Sequence, residues 1–279
     1  MTSIQEFRKY LKEEGISSLS KAEASLKSIS LNQIAKWEGL KLSLSHFLNT
    51  LYFEMLDFET WLEQEIKKTR PKAGKVLIGD LRKDMDIILA LREEVLATVS
   101  FTNQEQFVLT RQKFLLKIEN LRKVLQDYAE DLETFEQKLM SALVLLKEAD
   151  DFILQAPVFI GKIRLEIRAL KIDVFLSQKE KIAASLENLS QQIKDQYNSL
   201  SKLKEISGLE KVLAILELVR LNLFGLAKTV GKTDPKVWRQ STLRFDLFKK
   251  NLLEELEGKL KILAVAAEDI EDVQKQLAV

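Results

Sequence analysis

Three prolines and nine glycines in 279 residues leave little to interrupt a helix. Proline removes a backbone donor and clashes with the preceding turn, and glycine in a helix costs about 1 kcal/mol relative to alanine. Where both are scarce and Leu, Lys, Glu, Ala, Gln and Ile recur, the chain has to form long helices with few turns. The expectation is an all-α fold, an elongated bundle of about six main helices. With 46% hydrophobic residues it has enough apolar surface for a sizeable core.

The few breakers outline the helices. A short helix over about 3–14 is expected to stop at Gly15, with Ser17, Ser18 and Ser20 as caps for the next. A long helix follows over 20–69, in which Gly39 marks a kink or a close approach. RPKAGK, 70–75, reads as a loop, 76–98 as a helix, and TVSFTN, 98–103, as a turn with Thr102 or Asn103 as the cap of a helix over 104–154. Pro157 fits the first turn of a further helix running to about 206, where its missing N–H costs nothing. Ser207-Gly208 breaks that helix. Another covers 209–229, and after VGKTDP, Asp234 caps and Pro235 opens a last one to 277. The expected domains are an amphipathic helix and linker over 1–19 and three-helix units over 20–155 and 156–279.

The order long, short, long occurs twice and predicts a tandem repeat. At a shift of 131 residues, Thr98-Val99 falls on Thr229-Val230, Thr102 on Thr233 and Asn103 on Asp234. Phe107 falls on Trp238, Phe114 on Phe245, Asn120-Leu121 on Asn251-Leu252, and Leu125 and Leu132 on Leu256 and Leu263.

Several function classes lose their basis at this level. The 43 basic and 42 acidic residues balance, with no long run of one sign, which argues against a nucleic-acid partner. Cysteine is absent, excluding disulfides and thiolate chemistry. The charged stretch MTSIQEFRKYLKEEG lacks a signal peptide's apolar core, and the most apolar window, 212–230, carries Glu217, Arg220 and Lys228. A cytoplasmic location is therefore expected. Gly231-Lys232-Thr233 imitates the end of a P-loop, but five residues rather than four separate Gly225 from Gly231, and the segment before it reads as helix instead of strand. A helix-connecting turn is expected there, with no nucleotide and no cofactor.

The lone His46 lies among apolar neighbours in LSLSHFLNTLYFEML and is expected to be packed or half-buried. It cannot supply the two histidines of a carboxylate-bridged di-iron bundle, and no nucleophile elbow accompanies it. Asp80/Asp84, Asp127/Asp131 and Glu268/Asp272 are carboxylate pairs at i, i+4, a spacing that can share a hard cation. In layout alone they are loosely similar to the phosphate-uptake regulators, which hold metal clusters on tandem three-helix units. The pairs here do not occupy repeat-equivalent positions and that family's remaining motif is missing, so no metal is expected. Trp37, Phe47, Tyr52, Phe53, Phe58 and Trp61 gather on the 20–69 helix as a core face, with a lipophilic groove as the alternative. Ile4, Phe7, Tyr10 and Leu11 give the first helix an apolar side, expected to pack back on the bundle rather than lie on a membrane.

The segment after Pro157 has two apolar sides: Ile163, Ile167, Leu170 and Val174 on one, and Leu165, Ala169, Ile172 and Leu176 on the other. A helix with two such sides meets two layers. Leu165, Ile172 and Leu176 are therefore the expected interaction residues, contacting another subunit or the second unit. The functional expectation is a non-enzymatic interaction or scaffold protein, self-associating as a homodimer. The alternatives are a membrane-surface protein resembling crescent-shaped membrane-bending modules in layout, and a metal or lipophilic-ligand sensor.

Overall fold

A computed structural model describes residues 3–30, 33–69, 72–98, 104–238 and 241–277. The fold is an all-α helical bundle, and no strand occurs among the described residues. The helices are α1 (Ile4–Tyr10), α2 (Ser17–Ser28), α3 (Ile34–Thr69), α4 (Lys72–Ala97), α5 (Gln104–Ala169), α6 (Phe175–Leu200), α7 (Leu209–Lys232) and α8 (Thr242–Leu277). The chain divides into two compact units, Met1–Leu139 and Met140–Ala278, so that α5 contributes to both.

In the first unit Gly15 does not end a helix. A π-turn, Leu11–Ile16, joins α1 to α2, and the glycine is buried within it. A Cβ there would stand 3.6 Å from Leu125 Cδ1 and 3.8 Å from Leu51 Cδ1, ordinary van der Waals contact, so the site does not demand a glycine. The helix expected over 20–69 is interrupted where Ile29 takes an extended backbone after α2, and α3 begins at Ile34. Residues 72–75 of the expected RPKAGK loop are helical. The turn at 99–103, with its Thr102 and Asn103 caps, lies outside the described residues. Gly39 meets nothing within 4 Å, so it marks no close approach.

The core of this unit is aromatic at two levels. Phe7 stacks on Phe58 with centroids 4.0 Å apart and meets Tyr128 edge-on at 6.4 Å. Trp37 contacts Phe107 and Phe114 at 6.2 and 5.9 Å. The N-terminal helix is thus packed into the unit, and Arg8 ties its outer side to Glu136 at 3.1 Å and Glu133 at 3.5 Å.

In the second unit Pro157 lies inside α5 instead of opening a helix. The chain reverses thirteen residues later, between Leu170 and Val174. Two features hold that reversal. Lys249 Nζ donates to Arg168 O at 3.0 Å and Leu170 O at 2.9 Å, satisfying carbonyls that a helix C-terminus leaves open. Phe175, wholly buried at the start of α6, is enclosed edge-on by Trp238, Phe245 and Phe248 at 4.8–6.1 Å. At the next reversal Gly208 adopts φ 89°, where a side chain would be strained.

The repeat-equivalent positions agree in burial. Phe114 and Phe245 are 2% and 3% exposed, and Phe107 and Trp238 are 2% and 5%. Their helix starts differ. Where α5 begins directly at Gln104, Pro235–Trp238 forms a 3-10 turn and α8 starts at Thr242, so Asp234-Pro235 does not open it. Ser241 Oγ instead accepts from Arg244 N at 3.3 Å, an N-cap geometry.

Emptying the aromatic pocket at the reversal should cost about 3–5 kcal/mol, the usual range for deleting a buried phenyl ring. Hydrogen exchange of Phe175→Ala should show α6, α7 and α8 losing protection together. Unchanged protection would show that the ring does not anchor the turn.

Candidate functional site

The i, i+4 carboxylate pairs have different fates. Asp80 and Asp84 on α4 come together electrostatically with Asp127 and Asp131 on α5. Asp80 and Asp131 also line an open cavity of about 280 Å³, with Thr134, Phe135 and Lys138 beside them. Glu268 and Asp272 are exposed on α8 in the other unit. No group of three or more His, Asp or Glu side chains among the described residues is arranged to hold a metal ion.

Asp84 is the unusual member, buried with 9% of its surface exposed. Loss of solvent pushes its carboxyl up from 3.8 to about 7, and Asp80, Asp127 and Asp131 push the same way against the opposing charge of Lys83. Lys83 Nζ is engaged with Asp80 at 2.7 Å. Nearby, Tyr128 donates its hydroxyl to Leu77 O at 3.3 Å, and burial raises its pKa, with Asp84 the next cause. Across the α3–α4 contact, Arg82 binds Glu59 at 2.5 Å and Glu63 at 2.6 Å. Asp84 is thus the carboxyl here that holds a proton near neutrality. Its pairs were legible as sequence spacing, but their convergence and the burial of Asp84 were not.

The Gly231-Lys232-Thr233 stretch ends α7. It therefore presents carbonyls, the negative end of a helix, where a P-loop presents N–H groups. Lys179 Nζ already donates to Gly231 O at 3.1 Å and Thr233 O at 3.3 Å. His46 is exposed on α3, contrary to the packed position expected. Of the α3 aromatics, Trp37 and Phe58 are core, and Phe7 occupies the face on which a lipophilic groove was conceivable. Phe47 borders a cavity of about 240 Å³ shared with Ser18, Ser25 and Ser43.

The two apolar sides expected after Pro157 part company. Ile163, Ile167 and Leu170 are buried, whereas Leu165 is 64% exposed and Ala169 is exposed. Leu165, Ile172 and Leu176 do not share one helical face, because the reversal at 170–174 separates α5 from α6. Ile172 is half-buried in that turn and Leu176 is 60% exposed on α6. The sequence reading missed Met140, Val144, Leu154 and Val158 on α5, which are 54–62% exposed. Expecting a helix boundary at 154–157 cut their pattern in two.

No family model, no curated protein and no solved structure matches this chain. No helix among the described residues is long and apolar enough to cross a membrane.

A carboxyl whose folded pKa lies above its unfolded value of about 3.9 stabilises the fold fully only below that value, and its contribution is lost as pH rises to about 7. Asp84→Asn should therefore melt above the wild type at pH 8, with the gap closing towards pH 4. A gap of constant size across that range would show that Asp84 titrates as an ordinary carboxyl.

Proposed function

We propose that the protein is a non-enzymatic helical interaction protein whose contact surface lies on α5 and the start of α6. One observation carries this reading: Met140, Val144, Leu154, Val158, Leu165 and Leu176 each leave 54–64% of their surface exposed. Single exposed leucines are ordinary, but a row of large apolar side chains along helical faces marks a surface that meets another molecule. The near-neutral charge balance suits a protein partner better than a nucleic acid. The membrane-surface alternative, resembling crescent-shaped membrane-bending modules in layout, would need a basic concave face, which the balanced charge does not favour.

A photo-reactive residue placed at position 165 in cells should give discrete cross-linked products. The same residue at the exposed Glu187 of α6 should give none. Equal labelling from both positions, or no product from 165, would overturn the proposal.

A further inference from the structure

α5 packs into the second unit through Ala142, Leu146, Ala149, Ile153, Ala156 and Ile160, stepping alternately by four and three residues, all at most 2% exposed. That is the 3.5-residue spacing by which one helix packs along another. A second row takes the same steps two residues away, hence on the opposite side of the helix. It reads Met140, Val144, Lys147, Asp151, Leu154 and Val158, all exposed. One and two heptads earlier, the same positions hold Glu133, Gln126, Gln137 and Glu130. The outer row thus turns from polar to apolar at Met140, and Lys147 and Asp151 are its only charges. No ion pair ties either of them to another described residue.

The order of residues along this row is self-complementary. About a two-fold axis level with Ala149, Met140 of one copy lies opposite Val158 of the other, Val144 opposite Leu154, and Lys147 opposite Asp151. A contact about such an axis uses the same surface on both copies. Sliding the pairing by one heptad sets Lys147 against Val144 or Val158, and Asp151 against Met140 or Leu154. Either slip buries a charge against an apolar side chain, which is costly. A single register therefore matches apolar with apolar and positive with negative.

We propose that a second copy of this chain docks its α5 antiparallel on this row, with Lys147 of each copy facing Asp151 of the other. The proposal rests on the reading of α5 as a contact surface and names its occupant. Four apolar side chains per copy make a small contact, in the range of weak, transient association. Glu148 and Asp150 flank the axis and approach their own counterparts, which opposes pairing. The dimer is accordingly weak and reversible.

Sedimentation velocity across a concentration series tests this with the full chain. The wild type should pass from monomer to dimer as concentration rises to roughly 200 µM, the range of weak association. Lys147→Asp and Asp151→Lys each place like charges opposite one another and should weaken the dimer tenfold or more. Mixing the two variants in equal amounts should restore it, because every pair is then opposite in sign. The double variant K147D/D151K should restore it as a homodimer. Both changed positions are exposed, and unaltered helical circular dichroism would confirm folding. A wild type that stays monomeric overturns the proposal, while cross-links from position 165 to a different protein would still support the broader reading. Single variants that dimerise like the wild type, or a mixture that fails to regain the dimer, would place the contact elsewhere.

Discussion

Every helix in this protein is held by side chains stepping four and three residues along one side, and α5 shows how much depends on that spacing. Phe114, Ile118, Leu121, Leu125, Tyr128 and Leu132 bury one stretch of it in the first unit. Ala142, Leu146, Ala149 and Ile153 bury another in the second. With no disulfide and few turn-forming residues, apolar burial at about 25 cal/mol per Å² is the main force that selects one packing over others. A side chain out of step with these rows stays in water, and that rule separates Ile163 from Leu165 two residues later.

Long helices still have to reverse, and here the reversals are made with side chains more than with breakers. Phe175 is plugged among Trp238, Phe245 and Phe248 while Lys249 takes up the open carbonyls of α5. Lys179 does the same for the end of α7, where the sequence resembling a phosphate loop presents carbonyls. Lysine at a helix C-terminus also complements the helix dipole. In the first unit Arg111 Nη1 donates to Ile29 O at 3.1 Å, so a cation again meets the carbonyl just past a helix end.

Helix content was legible because it followed from composition and periodicity, and most boundaries fell within a few residues. The failures share a cause. Gly15, Pro157 and Asp234-Pro235 were taken as punctuation on local grounds, and none of them ends or opens an α-helix. Gly15 lies buried in the π-turn that carries α1 on into α2, and Pro157 sits exposed inside a helix whose neighbours Ile153, Ala156 and Ile160 hold it in place. The break placed at Pro157 also hid the outer row of α5, although its spacing was present in the sequence. Asp84 could not have been singled out from its spacing, since its shift comes first from burial, which the i, i+4 pattern does not reveal. Phe114 and Phe245 match in burial while α5 and α8 start differently, which does not establish a tandem repeat.

The central claim is that the outer row of α5 is a covered surface in the working protein. Hydroxyl-radical footprinting of the full chain inside cells measures this directly. Met140, Leu154 and Leu165 should be modified far more slowly than Leu243, which is 78% exposed on α8. Modification of all four at rates that follow their exposure in the isolated chain would contradict the account.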